Sequence, residues 1–257
     1  MILDEILAHK RQEVASRKAS ALPNPPPARD FAAALRAPGV SIIAEIKRRS
    51  PSGGDLRPDL SPAQLAPTYA EAGAAALSVL TDARYFGGSL QDMVDARKAC
   101  DLPVLQKDFV VDEYQLHEAR AFGADAVLLI VRALSPLELA RLIALADDLG
   151  LAALVETHSG DEVRIALEAG AQIVGVNNRD LDTLTTDVSL APRLRPLVPR
   201  ECVFVAESGV STPRQLELLA EAGVDAVLVG ESLLRASDPG LQLRALVAAG
   251  ARPGLRV

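Results

Sequence analysis

The sequence predicts a single parallel (β/α)8 barrel, the TIM-barrel architecture, with an extra helical segment at its N-terminus. Three observations favour this fold. The length of 257 residues suits one such barrel, and 49% of them are hydrophobic, enough to fill its interior and the layer under its helices. From residue 41 onward, short apolar runs alternate with longer amphipathic ones. A ten-residue pattern also recurs along the chain.

Residues 1–40 form the extra segment, which we expect to lie over the mouth of a barrel formed by residues 41–257. Apolar side chains at helical spacing predict a helix over residues 2–17, with a stripe made of Ile2, Leu3, Ile6, Leu7 and Val14. Prolines within residues 23–27 end this helix and form a stiff connector to a second short helix around residues 31–35. The apolar stripe needs a cover. As a lid over the mouth it would exclude water, and a plug on the opposite face is the alternative.

Eight strands are predicted from apolar runs that do not alternate with polar residues, as expected where both faces of a parallel sheet are buried. They cover residues 41–46, 75–80, 103–106, 126–130, 152–155, 172–176, 202–206 and 226–229. The clearest helices between them cover residues 136–149 and 213–222. Because no hairpin signal separates these units, closure into a barrel is favoured. An open, doubly wound sheet is the alternative, but no strand is followed by the glycine fingerprint of a dinucleotide site.

A repeated segment supports the barrel. Residues 71–80, 121–130, 168–177 and 221–230 each combine the end of a helix, a turn and the start of a strand. Each turn contains a glycine that can adopt a positive φ, namely Gly73, Gly123, Gly170 and Gly223. The copies are about two βα units apart, so we predict that the even-numbered strands share one construction.

Composition and residue spacing argue against several classes of protein. A net charge of −7 disfavours a general nucleic-acid binder. No apolar run approaches the ~20 residues of a membrane helix. The N-terminus lacks a signal-peptide pattern, so a cytoplasmic protein is expected. Cys100 and Cys202 lie far apart and the histidines form no ligand pair, so we expect no metal. The missing glycine fingerprint of a dinucleotide site also argues against a nicotinamide or flavin cofactor.

Charged residues follow the predicted strands, whose carboxyl ends form the mouth of a barrel. Glu45, Lys47, Lys107, Glu156 and Glu207 each come directly after, or two residues beyond, an apolar run. Burying such charges costs several kcal/mol per ion unless they pair. We therefore predict an active site at the mouth, with a purely structural ring of ion pairs as the alternative.

The loops after the seventh and eighth strands predict a site for a phosphorylated small molecule. In barrels of this kind these loops often bind phosphate through backbone N–H groups. Here they contain Gly209 and Gly230, where an anion can approach the backbone closely, and short helices are expected to follow them.

At these residues the chain resembles the indole-3-glycerol phosphate synthase family of tryptophan biosynthesis. The motifs occupy residues 44–52, 105–109, 154–156, 175–181 and 206–209, in one order, and the resemblance covers essentially the whole chain, including the N-terminal helix. It implies a decarboxylating lyase that needs no cofactor. The implied substrate, 1-(2-carboxyphenylamino)-1-deoxyribulose 5-phosphate, closes to indole-3-glycerol phosphate with loss of CO2 and water.

The resemblance also implies a role for each site residue. Lys107 is the general acid, Glu156 the base, and Lys47 a second acid or a clamp for carboxylate and phosphate. The groups implied to orient these residues and bind the amine or hydroxyls are Glu45, Asn177 and Glu207. Substrate binding is implied for Ser50, Phe86, Phe109, Arg179 and Ser208, and phosphate binding for Gly209, Gly230 and Glu231. The division of labour between Lys47, Lys107 and Glu156 stays open.

Other functions remain open at this point. A lysine at a strand end can form a Schiff base with a ketose phosphate, as in aldolases and thiazole-forming synthases. A barrel that binds a phosphorylated metabolite without turnover, and regulates a partner, is a second alternative. The chain is compatible with a monomer and with association with other tryptophan-pathway enzymes.

Overall fold

Eight parallel strands form a closed barrel within the part of the chain that the structure describes. The computed structural model covers residues 2–18, 21–51, 53–180 and 183–250. In chain order, β1 to β8 span Ser41–Ile46, Ala76–Leu80, Val104–Lys107, Ala126–Ile130, Ala152–Thr157, Ile173–Asn177, Val203–Glu207 and Ala226–Val229. β1 pairs in parallel with both β2 and β8, which closes the sheet. The predicted (β/α)8 class is confirmed.

Helices surround the barrel and cover its ends. In chain order, α1 to α12 span Ile2–Arg17, Phe31–Leu35, Pro62–Glu71, Ala83–Phe86, Leu90–Ala99, Glu113–Ala121, Pro136–Asp148, Gly160–Glu168, Leu190–Leu194, Pro213–Glu221, Glu231–Arg235 and Pro239–Gly250, with single 3-10 turns at Val131–Ala133 and Arg195–Leu197. The clearest predicted helices are α7 and α10, each ending one residue earlier than expected. Both begin with a capping box, from Ser135 and Thr212, which fixes their first turn.

A short antiparallel pair, Arg49–Ser50 with Gly54–Asp55, follows β1 and was not predicted.

Apolar side chains form two layers because alternate residues of a strand point to opposite faces. One layer lies between the strands and the outer helices. The other fills the barrel interior and includes Ile43, Leu105, Leu154 and Val205. Residues two positions further along these strands share the inward face. Those residues are Glu45, Lys107, Glu156 and Glu207.

Four strands, β3, β5, β6 and β7, end one or two residues later than predicted. Three of these predictions ended at the last apolar residue and that for β3 ended at Gln106, but the polar residues that follow still pair within the sheet. Lys107 is in register with Leu80 of the neighbouring strand, and Glu207 with Asn177. Because these side chains stand on paired strands instead of free loops, their positions are fixed by the sheet.

The repeated segment is confirmed as one construction used four times. Its glycines join α3 to β2, α6 to β4, α8 to β6 and α10 to β8. Gly73, Gly123, Gly170 and Gly223 have φ values of 93°, 91°, 96° and 79°. A residue with a Cβ adopts such values only with strain, so glycine marks these helix ends.

The N-terminal segment touches both ends of the barrel. α1 lies at the mouth, where Leu3 and Ile6 line a cavity. The connector then runs outside the barrel, and Arg29 donates to backbone carbonyls in the loop before β3. Phe31 and Leu35 of α2 join the interior cluster together with the first residues of several strands, so α2 plugs the opposite end. The prediction placed both helices over the mouth, whereas only α1 lies there. The boundary of the extension at residue 40 stays a prediction.

Some predicted features lie outside the described residues. They are Met1, Ser52, Leu181, residues 251–257 and the side chain of Ile2. Among the described residues, no helix combines the length and the apolar character needed to cross a bilayer.

Candidate active site

A cavity of about 460 Å³ lies at the carboxyl ends of the strands. Every residue that the sequence predicted for the site lines this cavity, namely Glu45, Lys47, Ser50, Phe86, Lys107, Phe109, Glu156, Asn177, Arg179, Glu207, Ser208, Gly209, Gly230 and Glu231. These residues come from loops and strands all around the barrel, and the closure of the sheet brings them together. Their individual roles stay predictions.

Lys107 lies at the centre of the charged groups. Its Nζ donates to Oε2 of Glu156 and to Oε2 of Glu207, each at 3.1 Å. Burial alone would lower the pKa of Lys107, but the charges of Glu156, Glu207 and Glu45 outweigh burial and raise this pKa above its usual value. Lys107 is therefore a cation throughout the neutral range and able to donate a proton.

The two carboxylates beside Lys107 have pKa values displaced in opposite directions. For Glu156, burial opposes ionisation, but Lys107 and His158 together lower the pKa below its usual value. For Glu207, burial raises the pKa to about 7, against the attraction of Lys107 and with the help of the negative charges of Glu156 and Glu45. Glu156 is thus a carboxylate at neutral pH, whereas Glu207 exchanges its proton there. Two carboxyl groups in such different states can take different roles.

Glu45 and Lys47 form a second ion pair in the mouth, with Lys47 Nζ 2.5 Å from Glu45 Oε1. Both side chains enter the cavity, as the two-residue period of a strand predicted. Ser50 follows on the short antiparallel pair, where its Oγ accepts from the backbone N–H of Gly53 at 3.0 Å. β1 and the loop after it thereby contribute an anion, a cation and a hydroxyl to the cavity.

The loop after β7 turns through two residues with positive φ, Ser208 at 62° and Gly209 at 86°. Such a value is uncommon and strained for serine, so the surroundings must hold it. Asn178 does so by donating from Nδ2 to the Ser208 carbonyl at 3.0 Å. A Cβ on Gly209 would lie 2.7 Å from the side chains of Thr186 and Val188, so only glycine fits. The turn brings main chain to the cavity wall, as the predicted phosphate site requires.

Glu231 stands at the start of α11, but its carboxylate is occupied by two arginines. Arg179 Nη2 lies 3.4 Å from its Oε2, and Arg235 Nε lies 2.9 Å from its Oε1. A carboxylate repels phosphate, so Glu231 can contribute to the predicted phosphate site only through its backbone N–H. Arg235 also donates to the carbonyl of Gly53 at 3.0 Å and thereby ties the loop after β1 to this region.

The aromatic residues predicted to contact substrate form one wall. Phe86 ends α4 and Phe109 follows β3, and their ring centroids are 6.1 Å apart with an interplanar angle of 39°. Leu3 and Ile6 of α1 line the same cavity. A flat apolar ligand group could pack against this wall while its charged groups face the lysines and the phosphate loops.

The model of the indole-3-glycerol phosphate synthase family matches residues 3–246. The chain belongs to this family. The resemblance inferred from the motifs is confirmed, and with it the class of decarboxylating lyases in tryptophan biosynthesis. Indole-3-glycerol phosphate synthase 2 of Streptomyces coelicolor is 57% identical over 222 residues, which cover 86% of each chain. Indole-3-glycerol phosphate synthase of Kineococcus radiotolerans is 50% identical over 268 residues, covering 99% of this chain and 98% of the relative.

Solved structures of lower identity share the fold. Thiamine phosphate pyrophosphorylase from Pyrococcus furiosus superposes with a TM-score of 0.63 at 17% identity, covering 84% of this chain and 96% of that one. A lactate oxidase from Pediococcus acidilactici gives a TM-score of 0.60 at 15% identity, covering 80% of this chain and 68% of that one. Likeness at this level concerns the barrel alone.

His158 belongs to the surroundings of the synthase-family site although the sequence did not single it out. Its Nε2 lies 3.4 Å from Oε1 of Glu156, and its Nδ1 lies 3.3 Å from Oε2 of Glu162. Burial would lower the pKa of His158, but the hydrogen bond to Glu162 and the two carboxylate charges raise it. The spacing in the sequence could have indicated this contact. His158 is two residues beyond Glu156, so the two side chains are expected on the same side of the strand, as are those of Glu45 and Lys47.

Two glycines make room for the buried carboxylates. A Cβ on Gly175 would overlap Oε1 of Glu207, and a Cβ on Gly230 would lie 2.5 Å from Oε1 of Glu45. Gly230 was predicted only for phosphate binding, and Gly175 was not predicted at all. A glycine inside an apolar strand marks a close approach by another group, and that signal was present at Gly175.

Metal ligands are not gathered in this site. Among the residues that the structure describes, no group of three or more His, Cys, Asp or Glu side chains is arranged to hold an ion. The cavity carboxylates are instead paired with lysines and arginines.

Proposed function

We propose that the chain converts 1-(2-carboxyphenylamino)-1-deoxyribulose 5-phosphate to indole-3-glycerol phosphate, CO2 and water by acid–base catalysis with its own side chains. The observation that carries this proposal is the contact of Lys107 with both Glu156 and Glu207 inside a cavity that also has an aromatic wall. Membership of the synthase family supports the choice of substrate. The chemistry of the site supports the roles.

Ring closure requires an acid first. The ring carbon that carries the carboxylate is a weak nucleophile, so the ketone must be made more electrophilic before the carbon–carbon bond forms. The Lys107 ammonium donates a proton to the carbonyl oxygen, which becomes a hydroxyl group. Loss of CO2 from the same ring carbon then returns the electron pair of the broken bond to the ring and restores its aromaticity. A cation in a dry site stabilises the charge that develops on oxygen.

Dehydration requires an acid and a base. The new hydroxyl leaves as water after it receives a second proton. Lys47, which still carries its proton, or Lys107 after it has regained one from solvent, supplies it, since both line the cavity. Glu156 removes the proton from the carbon next to nitrogen, and that electron pair forms the double bond of the indole. Two protons are delivered and one is removed, so the net reaction takes up one proton as the carboxylate leaves as CO2. Glu156 suits the base because its lowered pKa keeps it ionised at neutral pH.

The remaining residues orient the substrate. The phosphate lies against the main chain after β7 and β8, at Ser208, Gly209 and Gly230, with Arg179 beside it. The aromatic ring lies against Phe86 and Phe109. Such fixed placement holds the attacking carbon next to the ketone, and this orientation of the reacting groups increases the rate of ring closure.

Titration of Glu207 predicts a pH-dependent KM. Below its pKa of about 7, Glu207 is neutral. Above that pKa it adds a negative charge that repels a substrate carrying a carboxylate and a phosphate. We therefore expect KM to rise as the pH increases from ~6 to ~8, by at most about tenfold per pH unit.

Steady-state kinetics across this range measure the effect, and Glu207→Gln is the matched control because it stays neutral. Its KM should rise less steeply with pH, since only the ionisation of the substrate phosphate remains. Parallel KM profiles for the two proteins would contradict the assignment of the pH effect to Glu207.

The decisive experiment for the function is a turnover assay that follows indole absorbance with the named substrate and the protein alone. Appearance of indole-3-glycerol phosphate supports the proposal. Absence of turnover by folded protein would overturn it and favour a barrel that binds metabolites without catalysis.

A Schiff-base mechanism makes a different prediction. It needs a neutral amine, whereas the neighbouring carboxylates raise the pKa of Lys107. Borohydride added with substrate should therefore leave no covalent adduct on Lys107. An adduct found there by mass spectrometry would favour the aldolase-like class.

We further propose a cytoplasmic enzyme that acts on a free phosphorylated metabolite. A monomer and an association with other tryptophan-pathway enzymes both stay predictions for its assembly. Sedimentation of the purified chain, alone and mixed with those enzymes, measures which applies.

A further inference from the structure

Lys10 is a charged residue buried completely between α1 and the barrel. Its side chain is 0% exposed, and its Nζ lies 2.8 Å from Oδ2 of Asp82 and 2.9 Å from Oδ1 of Asp108. These two carboxylates are themselves only 0% and 4% exposed. Glu13, one turn further along α1, completes the group at 3.0 Å. Burial would lower the pKa of Lys10, but Asp108 and Asp82 raise it above its usual value, so Lys10 is a cation.

The two aspartates also hold the segments that carry the aromatic wall. Oδ1 of Asp82 accepts from the backbone N–H of Tyr85 at 2.7 Å and so caps α4, the helix that ends with Phe86. Oδ1 of Asp108 accepts from the backbone N–H of Phe109 at 2.7 Å. One lysine on α1 thus contacts the residue that orients each phenylalanine.

Lys10 also determines the position of the part of α1 that faces the cavity. Ile6 and Leu3 precede Lys10 by four and seven residues, a spacing that places all three on one face of the helix. Leu3 and Ile6 line the cavity, while Lys10 enters the barrel beside it. Fixing Lys10 therefore fixes how these two apolar side chains cover the mouth.

Stability alone is a poor reason for this arrangement. Replacing a buried group of ions with apolar residues of similar volume is often neutral or stabilising, because removing charges from water is costly. The group instead lies where three parts of the mouth meet: the helix α1, the short helix α4 and the segment after β3.

We propose that Lys10 is a positioning residue for ring closure. It holds Leu3, Ile6, Phe86 and Phe109 around the aromatic ring of the substrate and excludes water from Lys107. This inference rests on the proposed function, since it assigns a task within that reaction. Lys10 touches no reacting atom and acts through the residues that it fixes.

The test is Lys10→Met, which keeps the length of the side chain and removes its charge. We expect kcat/KM to fall about 100-fold, because a misplacement of about 1 Å at the substrate has an effect of that size. Hydrogen exchange of the backbone amides of α1 should become faster.

Lys18→Met is the matched control. It removes another ion pair between the N-terminal segment and the barrel, at 2.7 Å from Asp112, but on a side chain that is 49% exposed. Its kinetics should equal those of the wild type.

A second variant separates positioning from folding. Lys10→Met leaves two buried carboxylates without their cation, so it is compared with a triple variant that adds Asp82→Asn and Asp108→Asn. The triple variant keeps the oxygen atoms that accept from Tyr85 and Phe109 and removes the charges of Lys10, Asp82 and Asp108. The charge of Glu13 remains, but Glu13 is partly exposed and also pairs with Arg17. It should recover thermal stability and leave kcat/KM low. Wild-type kcat/KM in either folded variant would overturn the positioning role, and a lowered melting temperature alone would show a purely structural ion group.

Two results distinguish the proposed function from the role of Lys10. Absence of turnover by the wild-type chain would overturn the proposed function and the task of Lys10 with it. Normal turnover by the wild type and by Lys10→Met would overturn the inference about Lys10 alone.

Discussion

Replacing Lys107 with methionine should lower kcat at least ~100-fold and leave the barrel folded, because general acid catalysis contributes rate factors of this size. The ammonium is the proton donor in reach of both buried glutamates. Without it, Glu156 and Glu207 lose the charge that lowers their pKa values and take up protons instead of remaining unpaired anions. Indole formation and CO2 release should both stop, since the first step needs the acid.

The matched control for this variant is Lys98→Met, on the exposed face of α5. Circular dichroism and thermal unfolding of the three proteins check that the fold is retained. A Lys107→Met protein with more than a tenth of the wild-type kcat would show that another group is the acid.

Replacing Glu156 with glutamine has the second largest expected effect and separates the two halves of the reaction. Glutamine keeps the size of the side chain and its hydrogen bonding, but it cannot accept the proton during dehydration. We expect formation of indole to slow by about 100- to 10,000-fold. Release of CO2 should slow much less, because it precedes the step that needs the base.

The measurement compares the first turnover in the two signals, CO2 released and indole absorbance gained. A burst of CO2 without indole identifies Glu156 as the base for dehydration. Glu168→Gln, on an exposed position of α8, is the control and should behave as wild type. Equal slowing of the two signals would instead place Glu156 in the first step, beside Lys107.

The sequence predicted the barrel and most of its site because both depend on local periodicity. Apolar runs located every strand within two residues, and reading the residues at their ends located Lys107, Glu156 and Glu207. The same local signal cannot report which distant residues meet. Nothing near Lys10 in the sequence indicates that Asp82 and Asp108 will surround it.

Packing in three dimensions also explains what was wrong or incomplete. The whole extension was predicted over the mouth, but Phe31 and Leu35 of its second helix pack at the opposite end of the interior, against the first residues of several strands. Gly175 was read as one more apolar strand residue, although its missing Cβ is what admits Glu207. Each of these features depends on the shape of a space that forms only when the sheet closes.

The two-ended attachment of the N-terminal segment has a consequence for biosynthesis. This segment is synthesised well before the groups that receive it: Arg36 donates to the carbonyl of Glu201, and the backbone N–H of Val40 donates to the carbonyl of Gly250. Contacts between residues so far apart in sequence form slowly, because a long loop must close before they are made. Until the barrel closes, Leu3, Leu7, Phe31 and Leu35 have no interior cluster to pack into, so a nascent chain exposes them as apolar surface suited to chaperone binding. The segment that precedes the barrel in the chain is therefore expected to dock after the barrel has closed.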